Sequence, residues 1–327
     1  MMKPTTEFRY CRPDSLAEVA RLRTEYPDAC VMAGGTDFLV NLRRGLARPP
    51  AVIDLSGVAG MATIDEGPDG VRIGAAVTLA VLTRDELIRD RFPALVSAAS
   101  SVAGPTHRAA ATIGGNLCQD TRCMFYNQSE WWRSANGYCL KRDGGTCHVV
   151  VKKNHCYATY HGDLAPVLMV LGASAELAGP AGKRRLPLSD LFRQDGARHL
   201  ALSEGEVLAG VTVRAEPGLL AGYTKIRIRN AVDFPLAAVA VALRREGKRI
   251  GGLRVAITGT NSAPLMVPVA DLTGQEWGDA VAERMVAAIR QACDVVKTTT
   301  SVSPKYRRRV LLASTRQLAD QLWNQAT

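Results

Sequence analysis

In Met32-Ala33-Gly34-Gly35-Thr36-Asp37-Phe38, a glycine pair follows an apolar segment that predicts a short strand over 29–33. A second pair occurs in Ala111-Thr112-Ile113-Gly114-Gly115-Asn116. Paired glycines let a backbone come close to a pyrophosphate and point its N–H groups at the anion, and Thr36 and Thr112 add hydroxyl donors. We therefore predict that the two loops face one ligand, although a plain tight turn remains the alternative for each loop taken alone.

These glycine pairs do not belong to a common nucleotide-binding motif. The chain contains no G-x-G-x-x-G, and no G-x-x-x-x-G-K followed by Ser or Thr. A Rossmann or P-loop site is therefore unsupported.

Helices and strands are predicted on both sides of the loops. Asp14, Ser15 and Glu18 form a capping box that begins a first helix, and Ser303-Pro304 begins the last. The apolar residues of the preceding helix are Val281, Met285, Ile289, Cys293 and Val296. Periodicity also predicts strands over 51–55, 71–73, 174–177, 207–213, 223–228, 237–244 and 253–258, and helices over 79–90, 93–102 and 163–171.

Composition excludes several classes of protein. The 327 residues are 47% hydrophobic and 22% charged, which is typical of a folded globular chain and not of a disordered one. The net charge of +10 favours acidic partners without indicating a fold. Apolar stretches are too short for a membrane helix, and residues 1–10 lack the apolar core of a secretory signal. We therefore expect a cytoplasmic location, where structural disulfides are unlikely to form.

Five of the eight cysteines fall within residues 118–156: Cys118, Cys123, Cys139, Cys147 and Cys156. From residue 117 to 162 helical and strand periodicity is lost, and a segment of that length needs a function or an internal cross-link. Thiolates gathered in a reducing compartment suit zinc or an iron–sulfur cluster. The wide gaps suit a cubane better than zinc, which usually takes close cysteine pairs, but common ferredoxin spacing is also absent. Scattered thiols and disulfides remain alternatives, and His148 and His155 are not assigned as ligands.

Five motifs, in order, resemble the FAD subunit or domain of the xanthine dehydrogenase and carbon monoxide dehydrogenase family. They are the two glycine segments, Gly162-Asp163-Leu164-Ala165-Pro166, Glu206-Val207-Leu208 and Tyr223-Thr224-Lys225-Ile226-Arg227-Ile228-Arg229. The resemblance covers nearly the whole chain. It implies an α+β fold, with a two-subdomain FAD-binding part of the PCMH type over 1–216 (subdomains about 1–57 and 58–216) and a C-terminal α+β domain of the CO dehydrogenase flavoprotein type over 217–327.

The resemblance also implies that FAD lies between the two N-terminal subdomains. Both glycine segments would surround the pyrophosphate and ribityl chain, Asp163 would hold the polar chain, and Leu208 and Lys225 would border the flavin ring. The implied FAD-binding residues are Ala33, Gly34, Gly35, Thr36, Asp37, Phe38, Leu39, Thr112, Gly114, Gly115, Asn116, Asp163, Leu208 and Lys225.

The cysteine-rich insertion, residues 117–162, resembles that of the beta subunits of 4-hydroxybenzoyl-CoA reductases, and most relatives in the family lack it. The resemblance implies a [4Fe–4S] cluster on Cys123, Cys139, Cys147 and Cys156. Cys118 would be an unligated thiol beside the flavin loop, and the natural substitute if one of the four proves remote.

The implied function is electron transfer within an oxidoreductase, without substrate chemistry on this chain. Electrons would pass from ferredoxin through the cluster and FAD toward [2Fe–2S] clusters in a small partner and a molybdenum cofactor in a large one. The complex, a dimerised heterotrimer, would reductively dehydroxylate 4-hydroxybenzoyl-CoA to benzoyl-CoA. Neither nucleic acid nor membrane is expected as a partner.

The charge of the insertion supports an acidic ferredoxin as donor. Residues 118–161 contain six basic side chains and three acidic ones, a net charge of +3. Two alternatives remain open: the FAD subunit of a molybdenum hydroxylase that oxidises aldehydes or heteroaromatics, and a basic, zinc-stapled nucleic-acid-binding protein.

Overall fold

The computed structural model describes residues 7–150, 154–294 and 302–326. The helices of this part are α1 Leu16–Glu25, α2 Phe38–Arg43, α3 Leu79–Leu82, α4 Glu86–Arg91, α5 Pro93–Ser100, α6 Pro105–Ala110, α7 Ile113–Leu117, α8 Glu130–Ala135, α9 Leu164–Val170, α10 Asp279–Ala292 and α11 Pro304–Gln325. The strands are β1 Arg9–Cys11, β2 Cys30–Met32, β3 Ala51–Asp54, β4 Ile64–Gly67, β5 Gly70–Gly74, β6 Ser174–Gly179, β7 Gly182–Pro187, β8 Val207–Val213, β9 Leu219–Ile226, β10 Ala237–Glu246, β11 Arg249–Thr258 and β12 Leu265–Val267.

A small parallel sheet begins the chain, with strand order β1-β3-β2. Helix α1 connects β1 to β2, as the capping signal predicts. The Ser15 hydroxyl accepts the N–H of Glu18 at 3.3 Å, and the Glu18 carboxylate accepts the N–H of Asp14 at 3.2 Å. The first glycine pair directly follows β2.

The middle of the chain forms a five-stranded antiparallel sheet, in the order β4-β5-β8-β6-β7. Between β5 and β6 the chain runs through α3 to α9 and carries the cysteine-rich insertion. The predicted helix over 79–90 is two helices, because Asp85 caps α4 by accepting the N–H of Ile88 at 3.0 Å.

The last part is a four-stranded antiparallel sheet, in the order β12-β11-β10-β9. Alternate residues of β10 face two different cores, as a period of two requires. Val239 and Val241 pack with α10 and α11, whereas Ala240 and Ala242 join the larger core of the preceding part. This sheet therefore joins the C-terminal helices to the rest of the chain, and the α+β expectation is confirmed. Val296 lies outside the described residues.

The insertion is largely irregular, as predicted, with one helix that periodicity missed. This helix is α8, which has six residues. Ser129 caps its N-terminus, because the Ser129 hydroxyl accepts the N–H of Trp132 at 3.3 Å. Among the described residues, no helix is both long enough and apolar enough to cross a bilayer.

Candidate cofactor groove and cysteine cavity

A groove with two lobes runs between the two N-terminal sheets and the start of the C-terminal one. The larger lobe has a volume of about 640 Å³ and the smaller about 320 Å³. Thr36, Asp37, Gly115 and Gln119 line both lobes and so join them. Two connected cavities of this size suit a long ligand with two different ends.

The structure distributes the predicted FAD-binding residues along this groove. Those that line only the smaller lobe are Ala33, Gly34, Gly35, Phe38, Thr112, Gly114 and Leu208, and those that line only the larger lobe are Asn116, Asp163 and Lys225. Leu39 lies outside both, with 42% of its surface exposed. Leu208 and Lys225, expected together at one ring, line different lobes.

The first glycine pair is required by close packing and by backbone conformation. A Cβ on Gly34 would collide with the carbonyl of Ala110, so the two loops touch through their backbones. Gly35 has a φ of +69°, a left-handed conformation that favours glycine. The backbone contact at Gly34 therefore places the two segments side by side at the groove.

The second glycine pair differs from the prediction. Ile113 to Leu117 form helix α7, and Thr112 caps it by accepting the N–H of Gly115 at 3.0 Å. The Gly114 N–H donates to the carbonyl of Ala75 at 2.9 Å, and a Cβ on Gly114 would meet Ala75 at 2.7 Å. Both glycine N–H groups thus bond within the protein, which corrects the expectation that they point at an anion.

A buried ion pair lies in the wall of the larger lobe. Lys225 Nζ contacts Asp163 Oδ1 at 3.0 Å, with the two side chains 4% and 5% exposed. Tyr223 donates its hydroxyl proton to the same carboxylate at 2.6 Å. Burial raises the pKa of Asp163, which the Lys225 ammonium opposes. Asn116 Oδ1 accepts the N–H of Leu164 at 3.1 Å, so Asn116 caps α9. The Asp163 carboxylate makes no capping hydrogen bond and pairs with Lys225.

His161 is a groove residue that sequence reasoning missed. Its Nδ1–H donates to the carbonyl of Pro235 at 3.0 Å, and among the described residues its Nε2 has no partner. Burial lowers the pKa of His161 to about 3, so the ring is neutral and Nε2 is an unprotonated, buried acceptor of a residue that lines the larger lobe. In the sequence, the only indication that His161 lines the groove is its position next to the Gly162-Asp163 motif.

The structure brings four of the five clustered cysteines together. Cys123, Cys139, Cys147 and Cys156 line one small cavity in the insertion, together with Tyr126 and Lys141. Cys118 instead lines the smaller lobe of the groove, where burial raises its pKa to about 12. The prediction that separates Cys118 from the other four thus agrees with this geometry.

Backbone N–H groups lie beside the buried thiols of this cavity. Burial raises the pKa of Cys123, and the backbone N–H groups of Tyr126 and Phe125 oppose that rise. Burial also raises the pKa of Cys156 to about 12, where the N–H of Ala158 donates to its Sγ at 3.4 Å. Amide donors to sulfur stabilise thiolates and tune iron–sulfur clusters.

The side chains of this cavity are not arranged as the ligands of a bound metal. Within residues 7–150, 154–294 and 302–326, no group of three or more His, Cys, Asp or Glu side chains is placed so as to hold a metal ion. A tetrahedral zinc site, with Zn–S bonds of about 2.3 Å, holds sulfurs about 3.8 Å apart, and a cubane binds one thiolate at each of four iron corners. The structure therefore brings four cysteines to one cavity, and its ligand geometry favours neither zinc nor a cluster.

The basic side chains of the insertion are paired. Arg122 contacts Asp37, Arg133 contacts Glu130, Lys141 contacts Asp120 and Arg142 contacts Asp143. The two remaining basic residues, Lys152 and Lys153, lie outside the described residues. The charge argument for an acidic ferredoxin thus depends on those two lysines, because the described charges of the insertion are compensated.

Comparison with known proteins identifies both parts of the chain. Residues 6–214 match the family model described as the FAD binding domain in molybdopterin dehydrogenase. Residues 221–322 match the CO dehydrogenase flavoprotein C-terminal domain.

Individual relatives agree. The aldehyde oxidoreductase FAD-binding subunit PaoB of Escherichia coli K12 is 31% identical over 86% of this chain and 90% of its own. The carbon monoxide dehydrogenase medium chain of Afipia carboxidovorans is 28% identical over 79% of this chain and 76% of its own. The solved carbon monoxide dehydrogenase of Hydrogenophaga pseudoflava has the same fold, with a TM-score of 0.81 at 21% identity, covering 99% of this chain and 100% of that one. The chain therefore belongs to the family of FAD-binding medium subunits of the xanthine dehydrogenase and CO dehydrogenase type of molybdenum hydroxylase.

Proposed function

We propose that this chain is the electron-transfer subunit of a molybdenum-dependent oxidoreductase, and that it binds FAD in the two-lobed groove and a [4Fe–4S] cluster on Cys123, Cys139, Cys147 and Cys156. One observation carries the proposal. The segment with the four cysteines leaves the fold at Asn116 and returns at Asp163, and both of these residues line the larger lobe. A group bound by the four cysteines is therefore carried by a segment that begins and ends in the wall of the FAD groove.

The residues of the groove have distinct parts in this function. Bound FAD supplies a carrier that exchanges one or two electrons. The Lys225–Asp163 pair, which Tyr223 holds through a hydrogen bond to the carboxylate, presents polar side chains to the larger lobe, and the neutral His161 lines the same lobe. The loop contact between Gly34 and Ala110 keeps the two N-terminal subdomains together around the ligand.

The partners and boundaries follow from the same proposal. We retain a small [2Fe–2S] subunit and a large molybdenum subunit in a dimerised heterotrimer, because relatives bear the names medium chain and FAD-binding subunit. We also propose that the chain divides into an FAD-binding domain over 1–216 and a C-terminal domain over 217–327. A cytoplasmic location and a ferredoxin donor stay predictions.

Oxidation of an aldehyde or a heteroaromatic is the reaction that we favour for the complex. The 31% identity to an aldehyde oxidoreductase subunit supports it. Reductive dehydroxylation of 4-hydroxybenzoyl-CoA is the second candidate, and it rests on the resemblance of the cysteine insertion alone. An additional low-potential one-electron centre next to the flavin would permit electron delivery inward, which is the reason to keep this candidate.

Anaerobic purification of the full chain, followed by quantitation of flavin, iron and sulfide, tests the cofactors. We expect one FAD with four iron and four sulfide per chain, as a cubane requires. Colourless protein with one zinc would overturn the proposal.

Product analysis on the assembled complex tests the reaction. Aldehyde or heteroaromatic oxidation with an oxidising acceptor supports the favoured candidate. Formation of benzoyl-CoA from 4-hydroxybenzoyl-CoA with reduced ferredoxin supports the second one.

A further inference from the structure

Arg122 is a charged residue of the insertion whose side chain lies in the wall of the FAD groove. It precedes Cys123 in the chain, is 9% exposed and lines the larger lobe. Its backbone N–H donates to the carbonyl of Thr159 at 2.8 Å, and its carbonyl accepts the N–H of Thr159 at 2.8 Å. This pairing joins the two roots of the insertion, so the position of Arg122 is held by the backbone.

The guanidinium connects three separate elements. It forms an ion pair with Asp37, which precedes α2, and its Nη1 donates to Asn41 Oδ1 at 3.1 Å. The guanidinium also lies over the ring of Phe234 at 5.2 Å, a cation–π contact with the loop that precedes β10. Among the described residues Nε has no hydrogen-bond partner, so one donor is left over.

Asp37 explains why a cation is needed at this place. Its carboxylate lines both lobes and so stands at their junction, and it also accepts the N–H of Asp120 at 3.3 Å. An unpaired carboxylate at this place repels a pyrophosphate, because like charges a few ångströms apart raise each other's energy. The Arg122 guanidinium cancels that charge.

We propose that Arg122 is a positioning residue for the dinucleotide: the root of the insertion supplies the cation that neutralises Asp37 and holds Phe234, and the groove thereby accepts an anionic ligand. The proposal rests on the proposed function, because it takes FAD as the ligand. It assigns to the insertion a part in flavin binding that is separate from the cysteine cavity.

Titration of the full chain with FAD, followed by quenching of flavin fluorescence, tests this role. We expect Arg122→Met to raise the Kd for FAD by about tenfold or more, because the Asp37 carboxylate is left unpaired. The second-site variant D37N removes that charge, and the double variant R122M/D37N should bind FAD within about threefold of the original chain. Such a rescue is not expected if Arg122 serves only to fold the insertion.

Arg142→Met is the matched control. Arg142 is also an insertion arginine, bonded to the carbonyl of Leu46 at 2.9 Å and to Asp143, and it lies outside both lobes. Its substitution should leave the Kd for FAD within about twofold. Should Arg122→Met not fold, Arg122→Gln makes the same comparison with a polar side chain.

An unchanged Kd in Arg122→Met, or a double variant as weak as the single one, overturns the inference. Failure of the unsubstituted chain to bind FAD overturns the proposed function itself. The two failures are therefore distinguishable in one set of titrations.

Discussion

The walls of the groove and the cysteine-rich insertion are neighbours, but they hold their shape by different means. The walls rest on the large apolar core, in which Leu79, Ile113 and Leu164 are completely buried. The insertion contributes four residues to a separate small core of five buried residues, and Leu46 of the N-terminal part is the fifth: Leu46, Cys123, Tyr126, Cys156 and Ala158. Two of those five are cysteines of the cavity. Apolar burial thus suffices for the walls, whereas the insertion has little of it.

Buried cations replace apolar contacts in the insertion. Lys141 Nζ donates to Asp120 at 2.6 Å and to the carbonyls of Thr121 and Gly196 at 3.1 Å, and it lies 4.8 Å from the centre of the Tyr126 ring. Such networks specify one arrangement but stabilise it weakly, because desolvation of the charges offsets their attraction. Under the proposed function, ligation of the four thiols supplies the remaining stability of this segment.

The largest effect is expected from the cysteines. Under the proposed function, Cys139→Ser and Cys147→Ser should each remove most iron and sulfide while FAD stays bound, because the walls do not depend on the cavity. Metal analysis and FAD titration on each variant measure this. Cys11→Ser, outside the insertion, is the control and should keep all cofactors. Unchanged iron, or equal loss of FAD and iron, would contradict the comparison.

The next effect concerns the walls. Lys225→Met leaves the buried Asp163 without its cation and should lower the free energy of unfolding by about 3–5 kcal/mol. Denaturant unfolding monitors the loss, with the exposed Lys183→Met as control. Addition of Asp163→Asn should restore part of the stability, since the unpaired charge is then removed. Equal losses in the Lys183 and Lys225 variants would show that the wall does not depend on this pair.

A smaller effect is expected where the two glycine segments touch. Gly34→Ala places a methyl group against the Ala110 carbonyl and should cost about 2–3 kcal/mol of unfolding free energy, with weaker FAD binding and unchanged iron content. Gly67→Ala, where a Cβ meets its nearest atom at 3.9 Å, is the control. If iron is lost together with FAD, the groove and the insertion are not independent.

The smallest effect is the pH dependence contributed by two buried histidines, His161 and His199. Burial lowers the pKa of His161, in the groove, to about 3, and that of His199, near Lys141, to about 4. The unfolded chain therefore binds more protons below about pH 6.5, and stability falls as the pH decreases. At about pH 5 each histidine should cost about 2 kcal/mol relative to pH 7.

Thermal unfolding of His161→Gln and His199→Gln measures these contributions separately. Each substitution should flatten the decline of the melting temperature between about pH 7 and pH 5. A decline as steep as that of the original chain would mean that neither histidine is kept neutral by burial.

Local sequence signals predicted most of the fold, because they act over a few residues. Ser15 and Ser303 cap the helices that they were expected to begin, and Val207–Val213 forms the expected strand. The four cysteines of the cavity could also be chosen from the sequence, through a resemblance of motifs and spacing. Capping and strand alternation depend on neighbours in the chain, so they are readable without coordinates.

The contacts that shape the groove join residues far apart in sequence, and only the tertiary structure decided them. Gly34 needs to be glycine because a Cβ would collide with the Ala110 carbonyl. Asp163 forms an ion pair with Lys225 and does not cap its own helix, and Arg122 forms an ion pair with Asp37. In the second glycine pair, the carbonyl of Ala75 accepts the Gly114 N–H that the first turn of α7 leaves free. Packing at long range competes with local preference, and in the low-dielectric interior an available partner decides where each polar group points.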